Sequence, residues 1–187
     1  MIHITHVTVA TSIEGKDRIV RFKVTACGRG DGLGIARLSE FQADLDFQGG
    51  AAETILRVPN AHFWSPQDPH LYPLTVTLGE GQPVIASYTL EVGVRSVEVR
   101  REQLLLNSQP TNLKGFGKYE DFLINGRGLN LPLVIRDFEL GRRVGANAYR
   151  AAHYPHSEEE RSLADRLGCS LSMRSLLLNS TLRMRTG

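Results

Sequence analysis

The sequence predicts a chain in two parts, an antiparallel β-sandwich and then a short parallel α/β segment. Three observations carry this: apolar residues alternate with period two through the first half, turn residues separate those runs, and after Val99 the pattern changes to strand, helix, strand, helix. In the first half Val20, Phe22 and Val24 are separated by Arg21 and Lys23. Tyr72, Leu74, Val76 and Leu78 enclose Thr75 and Thr77, and Val84, Ala86, Tyr88, Leu90 and Val92 repeat the pattern. Alternation of this kind puts one strand face on a core and the other in water. Turn signals fall at Glu14-Gly15-Lys16-Asp17, from Cys27 to Gly34, at Gln48-Gly49-Gly50 and from Gly79 to Pro83. Short strands at this spacing make residues 1–97 a sandwich.

Beyond Val99, Leu104-Leu105-Leu106-Asn107-Ser108-Gln109-Pro110 reads as a hairpin, and Leu113 to Gly117 as a short buried strand. A helix is expected from about Pro132 to Val144. Asn130 can cap it, Pro132 fits its first turn, and Val134/Phe138 and Leu140/Val144 are apolar pairs at i,i+4 spacing. Gly145 can end it. A second strand, about Asn147 to Ala151, leads to His153-Tyr154-Pro155. Ser157 and Glu160 have the spacing of a capping box for the next helix, with Glu158 and Glu159 at its positive end. Two strand–helix units imply a parallel sheet with crossovers.

Composition narrows the functional classes. The 22 basic and 20 acidic residues leave a formal charge of +2 on 187 residues, with no basic stripe, so nucleic acid is not an expected partner. No apolar run approaches the roughly 20 residues of a membrane span, and no membrane association is expected. The two cysteines, Cys27 and Cys169, are far apart and lack metal-ligand spacing, so neither a cysteine-based zinc site nor a disulfide framework is expected. No cofactor and no metal are expected. The N-terminus has no charged and apolar leader pattern, and the expected location is cytoplasmic.

By residue chemistry alone, His153 at a strand end is equally a site residue and a structural histidine. Glu120 and Asp121 share that placement, against the ordinary reading of solvated loop carboxylates. Trp64-Ser65-Pro66 with Leu71-Tyr72 reads as packing at a strand entrance. GxSxG, Walker and HExxH patterns are absent.

The run Asn147-Ala-Tyr-Arg-Ala-Ala-His-Tyr-Pro155, followed by Asp165-Arg-Leu-Gly168, resembles the first signature of glycoside hydrolase family 2. Trp64-Ser-Pro, Val92-Gly-Val-Arg-Ser96, Leu113-Lys-Gly-Phe-Gly117, Glu120-Asp121 and Gly126-Arg-Gly-Leu-Asn130 are similar to that family in order and spacing. The Gly-Phe-Gly and Gly-Arg-Gly stretches resemble β-glucuronidases more than β-galactosidases. The resemblance implies an immunoglobulin-like β-sandwich over 1–97, then an incomplete (β/α)8 barrel whose N-terminal part occupies 98–168. It also implies a retaining β-glycosidase that acts on terminal β-D-glucuronides, or related β-glycosides such as β-galactosides, presented as a small molecule or oligosaccharide to the full-length parent. Substrate contacts transfer by resemblance to His153, Glu120 and Asp121, with Tyr119 standing where the family carries a histidine.

In that family the acid/base lies in an Asn-Glu pair and the nucleophile lies further on. This sequence has no Asn-Glu dipeptide, so both catalytic glutamates are expected to be absent and the chain alone inactive. A non-catalytic β-sandwich binding module is the alternative, and self-association through the incomplete barrel a corollary. Arg143, Gly141 and Glu160-Arg161 stand where the resembled family carries apolar residues, and are expected to put charge or a void on packed faces. Residues 169–187 read as an aberrant tail without strand pattern. Codons for Leu171 through Arg185, read out of frame, can encode Glu-Val-Pro-Ala-Val, the family's continuation, so a frameshift is the expected origin, with an amphipathic C-terminal helix as the alternative.

Overall fold

The computed structural model describes residues 2–14, 17–28, 30–79, 84–152, 154–172 and 181–185. Gly15 and Lys16, and Glu80 to Pro83, both expected as turns, lie with His153 outside the described residues. Two compact units are present, one of residues 2–62, 71–96 and 181–185, the other of residues 63–70 and 97–172.

The first unit holds β1 (His3–Glu14), β2 (Asp17–Cys27), β3 (Gly32–Leu38), β4 (Phe41–Phe47), β5 (Ala51–Pro59), β6 (Tyr72–Leu78) and β7 (Ala86–Val92). One antiparallel sheet contains β1, β2 and β5, and the other has the order β4-β3-β6-β7. The alternation seen in the sequence is the alternation in space. Val20, Phe22 and Val24 are fully buried while Arg21 and Lys23 are exposed, and Leu38, Leu45, Phe47, Leu74, Val76 and Leu78 complete the core. Burial of each such side chain contributes about 1.5–3 kcal/mol, which makes this apolar set the main source of the unit's stability. Gly49 and Gly50 turn the chain between β4 and β5 with φ of +59° and +82°, a region in which a side chain is strained.

The second unit begins with an antiparallel set, β8 (Val97–Arg100), β9 (Gln103–Leu106) and β10 (Gln109–Pro110). Asn107 and Ser108 join β9 to β10 with φ of +53° and +64°, the geometry of a type I′ turn. Next come β11 (Gly115–Lys118), a small hairpin of β12 (Asp121–Phe122) and β13 (Gly126–Arg127), α1 (Leu131–Arg143), β14 (Ala148–Ala151), α2 (Glu158–Arg166) and β15 (Ser170–Ser172). β11, β14 and β15 form a parallel sheet in that order. Asn130 caps α1, its side chain accepting from the Leu133 N–H at 3.3 Å.

Several local expectations are corrected. β11 is not a buried apolar strand: Gly115 and Gly117 are exposed, and its one buried residue is Lys118. Only Val134/Phe138 of the two apolar pairs on α1 is inward, because Gly141 continues that stripe while Leu140 and Val144 face solvent. Gly141 leaves no void, since a Cβ there would lie 2.7 Å from the Phe116 ring, which already fills the space. Arg143 buries no charge. It is exposed in the last turn of α1, where a cation complements the helix dipole.

The tail, read as patternless, also forms strands. Ser170–Ser172 pairs parallel to β14, and Cys169 and Leu171 join the core around Val134, Phe138 and Tyr149. A further strand, β16 (Thr181–Arg185), lies antiparallel to β1 in the first unit. Strand pairing uses backbone groups, so it can form without side-chain alternation.

Candidate functional site

The strand ends of the parallel sheet gather the polar side chains of the second unit. Glu120 follows β11 and is held at three points. Its N–H donates to the Tyr154 hydroxyl at 2.9 Å, its carbonyl accepts from Gly128 at 3.1 Å, and its Oε1 accepts from the Ser157 N–H at 2.8 Å. It is therefore a half-buried, anchored carboxylate at the positive end of α2, not a solvated loop acid. Asp121 is exposed at the start of β12. His153 lies outside the described residues, so of the three residues expected to meet substrate the structure describes Glu120 and Asp121.

The capping box at α2 is divided between two segments. Ser157 accepts from the Glu160 N–H at 3.3 Å, but the Ser157 N–H goes to Glu120. The Glu160 carboxylate turns inward instead, and its Oε1 lies 2.7 Å from His156 Nδ1 with both side chains fully buried. The charge expected on a packed face is thus buried, and it is paired. Burial raises the pKa of Glu160, against the opposing pull of the His156 hydrogen bond and the Lys118 charge. The same burial, reinforced by Glu160, pushes the Tyr149 hydroxyl upward and the Cys169 thiol up to about 11.

Lys118, 4% exposed, completes the polar set. Its Nζ donates to Asp137 Oδ2 at 2.7 Å and to the Tyr119 carbonyl at 3.3 Å, and it lies 5.0 Å from the Phe122 ring centroid. Arg127 stacks on Tyr154 at 4.1 Å, beside the hydroxyl that holds Glu120. Sequence reasoning missed Lys118, His156 and the inward turn of Glu160. The available signal was a lysine closing a short strand and a His–Glu pair at i,i+4 spacing. What these groups form chemically is an anchored carboxylate beside a buried imidazole–carboxylate pair able to hold a proton.

The strands and helices of the second unit, with this polar rim at the strand ends, have the arrangement of the start of a (β/α)8 barrel. The sequence model of glycosyl hydrolases family 2 matches residues 2–95, and that of the family's TIM barrel domain matches residues 97–173. The chain belongs to glycosyl hydrolases family 2: an immunoglobulin-like β-sandwich followed by an incomplete (β/α)8 barrel. It is 37% identical over 171 residues to the β-glucuronidase of Rattus norvegicus, covering 89% of this chain and 26% of that protein. It is 36% identical over 174 residues to that of Homo sapiens, covering 89% of this chain and 27% of that protein. Among solved structures it is similar to the Ruminococcus gnavus β-glucuronidase in complex with D-glucuronic acid, with a TM-score of 0.79 and 32% identity. That likeness covers 92% of this chain and 30% of the other. The chain spans about a quarter of the length of these curated relatives.

Proposed function

We propose that this chain is part of a retaining β-glycosidase that hydrolyses terminal β-D-glucuronides or related β-glycosides, and that by itself it turns over no substrate. Its similarity to β-glucuronidases across 89% of its own length carries the first half of the reading. The second half rests on chemistry. Retaining hydrolysis requires a carboxylic acid to protonate the leaving oxygen and a carboxylate about 5–5.5 Å away to attack the anomeric carbon. The resembled family supplies its acid/base from an Asn-Glu pair, and this sequence contains none. His153, Glu120 and Asp121 are proposed to contribute to the rim of the sugar pocket. Glu120 is the best supported of these in position, since three hydrogen bonds fix it at the end of β11. Self-association through the barrel sheet belongs to the same proposal.

The test is hydrolysis of a chromogenic β-D-glucuronide by the purified chain, beside calorimetric titration with D-glucuronic acid. No turnover above a boiled control is expected. Turnover would overturn the inactivity. Sugar binding held entirely by residues 1–97, and unaffected by Glu120→Ala, would favour the non-catalytic sandwich module instead.

A further inference from the structure

Glu120, His156 and Glu160 offer ligand atoms that all lie within 4.8 Å of one another. We propose that these three side chains bind a divalent transition cation of the Zn2+ type, at a site that shares Glu120 with the proposed sugar rim. An imidazole with two carboxylates is a nitrogen–oxygen donor set that suits such ions, and it uses neither cysteine. The reading thus departs from the expectation of no metal, which the sequence drew from cysteine spacing alone.

A second observation points to a ligand. Glu160 and His156 are fully buried side chains, yet Glu160 Oε2 and His156 Nε2 have no hydrogen-bond partner, and neither does the buried Tyr149 hydroxyl beside them. Buried polar atoms in folded proteins are nearly always partnered, and the orphaned Glu160 Oε2 in this cluster calls for a group that satisfies it. Charge points the same way. The two carboxylates face each other closely enough for Glu120 to act on Glu160, and a dication neutralises both.

The cation is held by both oxygens of Glu160, the orphaned Oε2 among them, and by His156 Nδ1, and the proton held between Nδ1 and Oε1 leaves to solvent. Glu120 supplies its second oxygen, because Ser157 already holds its Oε1. Zinc bonds of about 2.0–2.2 Å bring ligands to roughly 3.4 Å apart. The cluster must therefore draw in by about 1 Å, and Glu120, its half-buried member, marks the side of entry.

Calorimetric titration of the full, chelator-treated chain with ZnCl2 tests the site. One Zn2+ per chain is expected, with a heat that varies with buffer ionisation because a proton is released. Glu120→Gln keeps the oxygen that accepts from Ser157 but loses the ligand charge, and is expected to weaken binding about tenfold or more. The double change His156→Phe with Glu160→Leu is expected to abolish binding. Should that variant fail to fold, as read by fluorescence of the single tryptophan, Trp64, the Glu120→Gln result decides. No uptake by the unaltered chain, or undiminished affinity in either folded variant, overturns the proposal.

Discussion

The two units bury different chemistry. In the sandwich the fully buried side chains are apolar and large, among them Val20, Phe22, Phe47, Leu74 and Val76. In the barrel unit a smaller apolar cluster around Val134, Phe138 and Tyr149 shares its interior with Lys118, His156 and Glu160. Apolar burial stabilises without geometric demands, whereas every buried polar atom needs a partner before it costs nothing. The contrast teaches that the sandwich can hold its fold by its own core, and that the barrel unit gives up stability for polar groups held at its strand ends. Slow amide exchange in β2 and faster exchange in β11, β14 and β15 is the expected signature. Equal protection in both units would remove the contrast.

The largest expected effect breaks the sandwich. Phe22→Ala empties a fully buried site and should cost about 3–5 kcal/mol. Far-UV circular dichroism should show the loss of sheet at lower urea, while Trp64, in the other unit, changes its fluorescence at an unaltered midpoint. Coincident shifts in both signals would mean that the units unfold as one.

The next strikes the barrel unit. Gly168 follows α2 with φ of +69°, and a Cβ there would strike the Pro66 carbonyl oxygen. Left-handed backbone costs roughly 1–2 kcal/mol for an L-residue and overpacking about 1–3 more. Gly168→Ala should therefore lower the Trp64 transition by about 2–5 kcal/mol. The probe is well placed, since the Trp64 indole donates to the Asp165 carbonyl at 2.7 Å.

The same difference governs what could be read in advance. Alternation in β2 and β6 was legible because one face of each strand meets core and the other meets water. The caps Asn130 and Ser157 were legible because their chemistry is local. Lys118 and the His156–Glu160 pair were not, because partners such as Asp137 and the enclosing walls come from distant segments, and burial is a property of the fold rather than of spacing. Glu160 shows the limit well. Its position three residues after Ser157 fits a reciprocal cap, yet the buried imidazole of His156 wins the carboxylate, and Glu120, 37 residues from Ser157, takes the vacated N–H. The tail was misjudged for a similar reason, since pairing with β14 and β1 depends on neighbours that no local pattern reveals.

Alkaline pH sharpens the comparison further. Cys169, buried in the barrel unit, has its thiol pushed up to about 11, while Cys27 of the sandwich is exposed. A group whose folded pKa is raised contributes stability that is complete below its unfolded value, near 8.5, and is lost as pH rises through the folded value. The barrel unit should therefore lose stability as pH rises from roughly 8.5 to 11, and Cys169→Ala should remove this dependence. At pH 8 a thiol reagent should label Cys27 in the native chain and reach Cys169 only after unfolding. Equal labelling rates would contradict the burial.

The smallest effect separates a half-buried cap from an exposed ion pair. Ser157 Oγ accepts from the Glu160 N–H, one of the four donors left open at the start of α2. Ser157→Ala removes that acceptor and should lower the Trp64 transition by about 1 kcal/mol, within the usual range for a lost N-cap. The loss stays moderate because the alanine keeps its own N–H for Glu120, and Glu158 and Glu159 still face the positive end of the helix. Ser157→Asp should restore most of it, since a carboxylate accepts the same bond and adds favourable charge. On the sandwich, Lys23 and Glu53 sit opposite each other on β2 and β5 at 2.7 Å, but more than half of each side chain is exposed. Solvent and salt screen such a pair, so Lys23→Met should leave the urea midpoint of the sandwich unchanged. If Lys23→Met shifted its unit as far as Ser157→Ala shifts the other, polar contacts would matter equally in the two units, and the contrast between an apolar sandwich and a polar-centred barrel segment would fail.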